Sequence, residues 1–169
     1  MTPPIRRVHF SLHFERDFDR FTQVASCLYP THSVALPFLD RDTWDRLSSR
    51  GTAVLQRWGH LRILASDLVI VLIGAQTYAR PLVRQEIATA VEKRRPIFGI
   101  ELAGMKNSDG SVDSGKSQSP FDFVMSSEQR TFKSFPWLDS LQSKITIRTW
   151  IDEFTIGRPT LGVNRGNAR

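Results

Sequence analysis

At 169 residues, 40% of them hydrophobic and 24% charged, the chain has the apolar content for one packed core and reads as a single domain. No run approaches the ~18 consecutive apolar residues of a membrane span, and residues 1–7 lack the apolar stretch of a signal peptide, so the expected location is the cytoplasm. The single cysteine, Cys27, excludes an internal disulfide framework and reads as a thiol packed at a helix boundary.

Of the four histidines (His9, His13, His32, His60) only His9 and His13 are four apart, and they fall on a predicted strand and its end, not on a helix; none has an evident carboxylate partner at ligand spacing, so no metal is expected. A formal charge of +6 raises the question of nucleic acid. Arg158, Arg165 and Arg169 nevertheless lie in 157–169, a basic tail without acidic residues beyond a domain at 1–156. What remains is mixed in sign and carries no RNA-binding or recognition-helix pattern, so nucleic acid is not an expected partner.

In chain order, 7–12 reads as a short strand. Phe14, Phe18, Phe21, Ala25 and Leu28 then recur at helical intervals up to Pro30. A second short strand is predicted at 33–36, and Pro37 turns the chain into a loop over 38–42. Thr43 is the predicted N-cap of a helix carrying Trp44, Leu47, Val54, Leu55 and Trp58, with Gly51 as its weak point. The run DLVIVLIG at 67–74 is the clearest strand, because uninterrupted apolar residues suit a parallel strand covered on both faces.

Pro81 opens a helix with Leu82, Val83, Ile87, Ala90 and Val91 on its apolar side, and Pro96 begins a further strand at 96–101. A long Gly/Ser-rich loop follows, then a weak helix over 128–141, a strand at 145–148 and a short terminal helix from Trp150. Alternation of strands and helices around an apolar central strand predicts an α/β, flavodoxin-like, doubly wound parallel sheet of about five strands with helices on both faces. Such sheets bind ligands beyond the carboxyl ends of their strands, where Ser11, Leu12, His13 and Phe14 would face 74–78, including Gly74 and Tyr78.

No glycine-rich dinucleotide fingerprint, phosphate loop or nucleophile elbow is present. Glu86 is singled out by geometry. At about 100° per residue it shares the arc of Leu82, Val83 and Ala90, and a carboxylate among apolar side chains is costly unless a cation such as Arg84 satisfies it or it faces a pocket.

The opening HFSLHFERDFDRF resembles the start of the Thoeris-type TIR-like family, with its F-x-S-[FY]-H-[FY]-x-x-D pattern. Ser11, His13, Phe14 and Asp17 fit, Phe10 occupies the variable position before the serine, and Leu12 replaces an aromatic. In order, LPFLDRDTWDRL (with Phe38, Asp40 and Trp44), SDLVIVLIGAQTYAR, LVRQEI and PIFGIELAGMKNSDG resemble further segments of that family, as does PFDF, so the likeness spans residues 8–123. It implies a TIR-like fold in which Glu86 corresponds to the catalytic glutamate of W-V-x-x-E-I, while Leu82 stands where that pattern has tryptophan.

The implied chemistry is cleavage of NAD, as substrate and not as redox cofactor, at the nicotinamide–ribose bond. A fixed carboxylate would steady the sugar cation. Product is ADP-ribose or a cyclic isomer, and the role implied is a nucleotide signal that reaches a separate effector in anti-phage defence, with self-assembly of the enzyme. Around Glu86, the expected substrate contacts are Ser11, His13, Phe14, Asp40, Trp44, Gly74, Tyr78 and Arg84; Phe14, Trp44 or Tyr78 would replace the missing aromatic face. The alternatives are a non-enzymatic TIR-like interaction module and a nucleoside glycosyl-transfer enzyme of related fold.

Overall fold

A computed structural model describes residues 6–28, 40–114, 117–124, 131–138 and 141–158, apart from the side chain of Lys144. Four parallel strands, β1 (Val8–Ser11), β2 (Leu68–Ile73), β3 (Ile97–Glu101) and β4 (Ser134–Pro136), lie in the order β1-β2-β3-β4. Among the described residues the helices are α1 (Phe14–Ser26), α2 (Arg41–Ser48), α3 (Thr52–Leu64), α4 (Pro81–Glu92) and α5 (Leu141–Thr155). Short 3-10 turns cover Thr77–Ala79 and Pro120–Phe123.

β2 explains the layering. Every one of its side chains is buried, and the period-two alternation of a strand divides them between two cores. Leu68, Ile70 and Leu72 pack with Phe21 and Val24 of α1, with Leu28 just beyond it, and with Ile147 and Ile151 of α5. Val69, Val71 and Ile73 pack on the opposite face with Ile63 of α3 and Val83, Ile87 and Ala90 of α4. Burial of each such side chain contributes roughly 1.5–3 kcal/mol, and together they produce the predicted doubly wound α/β sheet, with four strands among the described residues where about five were expected. The Arg6 guanidinium donates to the carbonyls of Thr155 and Arg158, satisfying oxygens at the end of α5.

Several local expectations are corrected. Asp40, not Thr43, caps α2: its carboxylate accepts from the Thr43 N–H at 2.6 Å. The single helix expected from Thr43 to Trp58 is two, broken at Gly51, whose φ of 101° belongs to the region that glycine enters without steric penalty. The strand expected at 145–148 is helical, because Ile147 and Ile151 stack one turn apart into the core within α5. That helix begins at Leu141, well before Trp150, and where a helix was expected over 128–141 the described residues hold β4. The strand expected at 33–36 and most of the tail at 157–169 lie outside the described residues.

Candidate functional site

Glu86 lies in the middle of α4, only 6% exposed, on the side that meets β1 and α3. Alternation along β1 turns His9 and Ser11 to this same face. The Ser11 hydroxyl donates to Glu86 Oε2, and His9 Nε2 lies 3.2 Å from Glu86 Oε1. A carboxylate oxygen can only accept, so the imidazole presents its N–H at Nε2. Trp58 of α3 packs against the His9 ring at 6.0 Å between centroids. Thus Glu86 is satisfied by His9 and Ser11, not by Arg84, and His9 has the carboxylate partner that linear spacing did not reveal.

Gly59 makes room for the carboxylate. A Cβ at that position would fall 2.5 Å from Glu86 Oε1, which explains a glycine inside α3 where it costs about 1 kcal/mol relative to alanine. Gly59→Ala is therefore expected to destabilise the protein by about 1–2 kcal/mol net, overpacking outweighing the gain in helix propensity. Urea denaturation would measure it, and the penalty should shrink in the Gly59→Ala, Glu86→Ala double variant.

Beside this centre is a cleft of about 200 Å³ lined by Glu15, Trp44, Thr52, Leu55, Arg80, Pro81 and Leu82. Typical small-molecule sites occupy roughly 300–1,000 Å³, so the cleft admits part of a dinucleotide. Glu86 does not line it, but Leu82 does, one turn earlier on α4, a rise of about 6 Å. Trp44 is stacked on the buried Phe14 ring, with centroids 4.4 Å apart and planes inclined by 15°, and lines the cleft.

The other expected contacts fall elsewhere. Asp40 is an exposed helix cap whose carboxyl is held low by the Thr43 backbone hydrogen bond. Tyr78 stacks on Phe123, over which the Arg84 guanidinium also lies at 4.2 Å, while Arg84 Nε donates to the Tyr78 carbonyl. His13 Nδ1 is 3.2 Å from Glu15 Oε2 without hydrogen-bond geometry. Burial, then the nearby Arg80 charge, lowers the His13 pKa against the opposing pull of Glu15 and Asp17, so at neutral pH the ring is uncharged. Gly74 donates its N–H to Thr77 Oγ1 and lies against the Asp17 carboxylate.

A second polar cluster lies at the carboxyl ends of β1 and β2. Arg20, fully buried, bonds Asp17 at 2.5 Å and Asp113 at 2.8 Å, and Arg16 bonds Asp113 at 2.7 Å. Burial raises the Asp17 pKa despite Arg20. For Asp113 burial acts in the same direction, but hydrogen bonds from Arg20 and Arg16 outweigh it and hold the carboxyl below its ordinary range. The Asp113 stabilisation is therefore complete above the unfolded-chain pKa and is lost as pH falls through the lowered value, because the unfolded chain takes up the proton first. Asp17 has the opposite sign and removes stability as pH rises. Asp113→Asn should flatten the acid limb of stability against pH, as followed by denaturant titrations across the carboxylate range.

Among the described residues no group of His, Cys, Asp and Glu is arranged to hold a metal ion, and no helix is long and apolar enough to cross a membrane. Sequence comparison decides the family. Residues 9–107 match the family described as Thoeris protein ThsB, TIR-like domain. The chain belongs to that family. It is also similar to a Bacillus cereus (strain MSX-D12) protein named "Putative cyclic ADP-D-ribose synthase ThsB1", 28% identical over 137 residues, which cover 78% of this chain and 71% of that protein. The match to the ThsB TIR-like family takes in β1 through β3, and with them Ser11, Glu86 and the cleft.

Proposed function

We propose that this ThsB-type TIR-like protein cleaves NAD at the nicotinamide–ribose bond and that Glu86 is its catalytic residue. The observation that carries the reading is the Ser11–Glu86–His9 arrangement, a carboxylate fixed in a water-poor setting one helical turn beyond a partly apolar cleft. Nicotinamide leaves with the electron pair of the glycosidic bond, and the ribose becomes an oxocarbenium-like cation. A pre-oriented carboxylate stabilises that charge more strongly in a low-dielectric site than in water. Water then captures the ADP-ribosyl group and releases a proton, or the adenine or a ribose hydroxyl captures it to close a ring. The name of the Bacillus cereus relative supports a cyclic product and with it a nucleotide signal to a separate effector.

Glu86 is covered in the present conformation, so productive binding of NAD requires Leu82 or α3 to shift. The reading therefore includes a resting state that a trigger or self-association opens. Chromatography of nicotinamide and nucleotide products from wild type and Glu86→Gln tests it, and parallel incubation with free nucleosides shows which glycosidic bond is broken. A second reading, a non-enzymatic interaction module, is favoured by the complete satisfaction of Glu86 by His9 and Ser11 and by leucine at position 82. No NAD loss in either protein would select it, whereas equal loss in both would remove Glu86 from the chemistry.

A further inference from the structure

We infer that Arg16, Arg20 and the Ala75 N–H form a phosphate-binding subsite at the carboxyl ends of β1 and β2, and that Asp113 occupies it as an internal stand-in for the ligand. Asp113 Oδ1 accepts from Arg16 at 2.7 Å, while Oδ2 accepts from Arg20 Nη1 at 2.8 Å and from the Ala75 N–H at 3.3 Å. Two guanidinium groups and a backbone N–H converging on one small anion are the donor set used for phosphate oxygens. Their position is the crevice where doubly wound sheets take their ligands. The set has unused capacity, because Arg20 Nε is buried without a partner.

Asp113 reaches this position from a segment with few other ties. Leu102 and Met105 are buried and anchor the start of the loop. Beyond them, Asn107, Asp109, Gly110 and Ser111 bond to one another in a turn that uses the positive φ of Gly110. Among the described residues of 106–114, Asp113 alone hydrogen-bonds to other parts of the domain. Its side chain is 1% exposed, while neighbouring Val112 is largely exposed. Withdrawal of Asp113 would thus uncover little apolar surface, and a phosphate, with more acceptor oxygens and equal or greater charge, would restore the lost bonds. The subsite itself is independent of NAD cleavage; only the expectation that its natural ligand is a nucleotide phosphate rests on that reading.

The probes are inorganic pyrophosphate and ADP, titrated by calorimetry into the full chain, with hydrogen exchange of 106–114 followed in parallel. Asp113→Asn, which keeps the side-chain volume, is expected to bind pyrophosphate at least about tenfold tighter than wild type, one decade corresponding to 1.4 kcal/mol. Adding Arg16→Ala should abolish the gain. In wild type, saturating pyrophosphate should accelerate exchange across 106–114. Equal gains for both probes indicate a subsite for the bare anion, and a larger gain for ADP indicates a nucleotide subsite; either supports the inference. Unchanged affinity in Asp113→Asn, or a gain that survives Arg16→Ala, overturns it. If Asp113→Asn fails to fold, the wild-type exchange decides, and no acceleration with pyrophosphate overturns the inference.

Discussion

Glu86→Gln is expected to lower NAD turnover by about 10²–10³-fold, the usual cost of removing one preorganised electrostatic contact to a transition state. Glutamine keeps the volume that Gly59 admits, and its carbonyl still accepts from Ser11 or His9. Folding is therefore retained while the charge is lost. The fall should appear in kcat and in kcat/KM together, because stabilisation of a sugar cation is absent from the ground state. Glu86→Ala is less informative: it strands the Ser11 hydroxyl and His9 N–H beside a void, at about 1–3 kcal/mol for each group left unsatisfied. Nicotinamide release measured with the triggered or concentrated protein is the relevant readout. Retention of full turnover by Glu86→Gln would remove this residue from the chemistry.

Arg20→Met should produce the largest loss of stability, about 3–5 kcal/mol, because it leaves Asp17 and Asp113 without their shared buried cation. For a chain of this size the fall in Tm is roughly 6–20 °C, readable by calorimetry or by loss of near-ultraviolet dichroism. Methionine fills much of the arginine stem, so the effect reports charge more than cavity. Adding Asp17→Asn should restore part of the loss. The exposed Arg80–Glu15 pair is the control: Arg80→Ala should cost no more than about 1 kcal/mol. Similar losses in the two variants would show that burial does not govern the Arg20 network.

The central layer was legible because its pattern admits few alternatives. An unbroken apolar run at 68–73 needs cover on both faces, and the structure places that strand between β1 and β3. Helices α1 and α4 were legible from periodicity and the flanking prolines. The C-terminal segment reads as a strand because Ile145 and Ile147 mimic strand alternation, whereas Ile147 and Ile151 supply a helical stripe that matters only once the sheet face carrying Leu68, Ile70 and Leu72 is present to receive it. Thr43 and Asp40 were both acceptable caps by residue type, and only backbone geometry selects Asp40. At the site, Ser11 and Glu86 were singled out from sequence. His9 and Gly59 were missed, although strand alternation places His9 beside Ser11 and a glycine inside a helix commonly signals close packing.

By itself the sequence determined the layered class of the fold, its central strand and the carboxylate at the centre of the candidate site, since periodicity and proline placement act over a few residues. Tertiary structure alone decided what that carboxylate touches and how Asp113 meets two arginines more than 90 positions away. Those contacts join groups distant along the chain, and their strength depends on burial, which exists only after the helices have closed over the sheet.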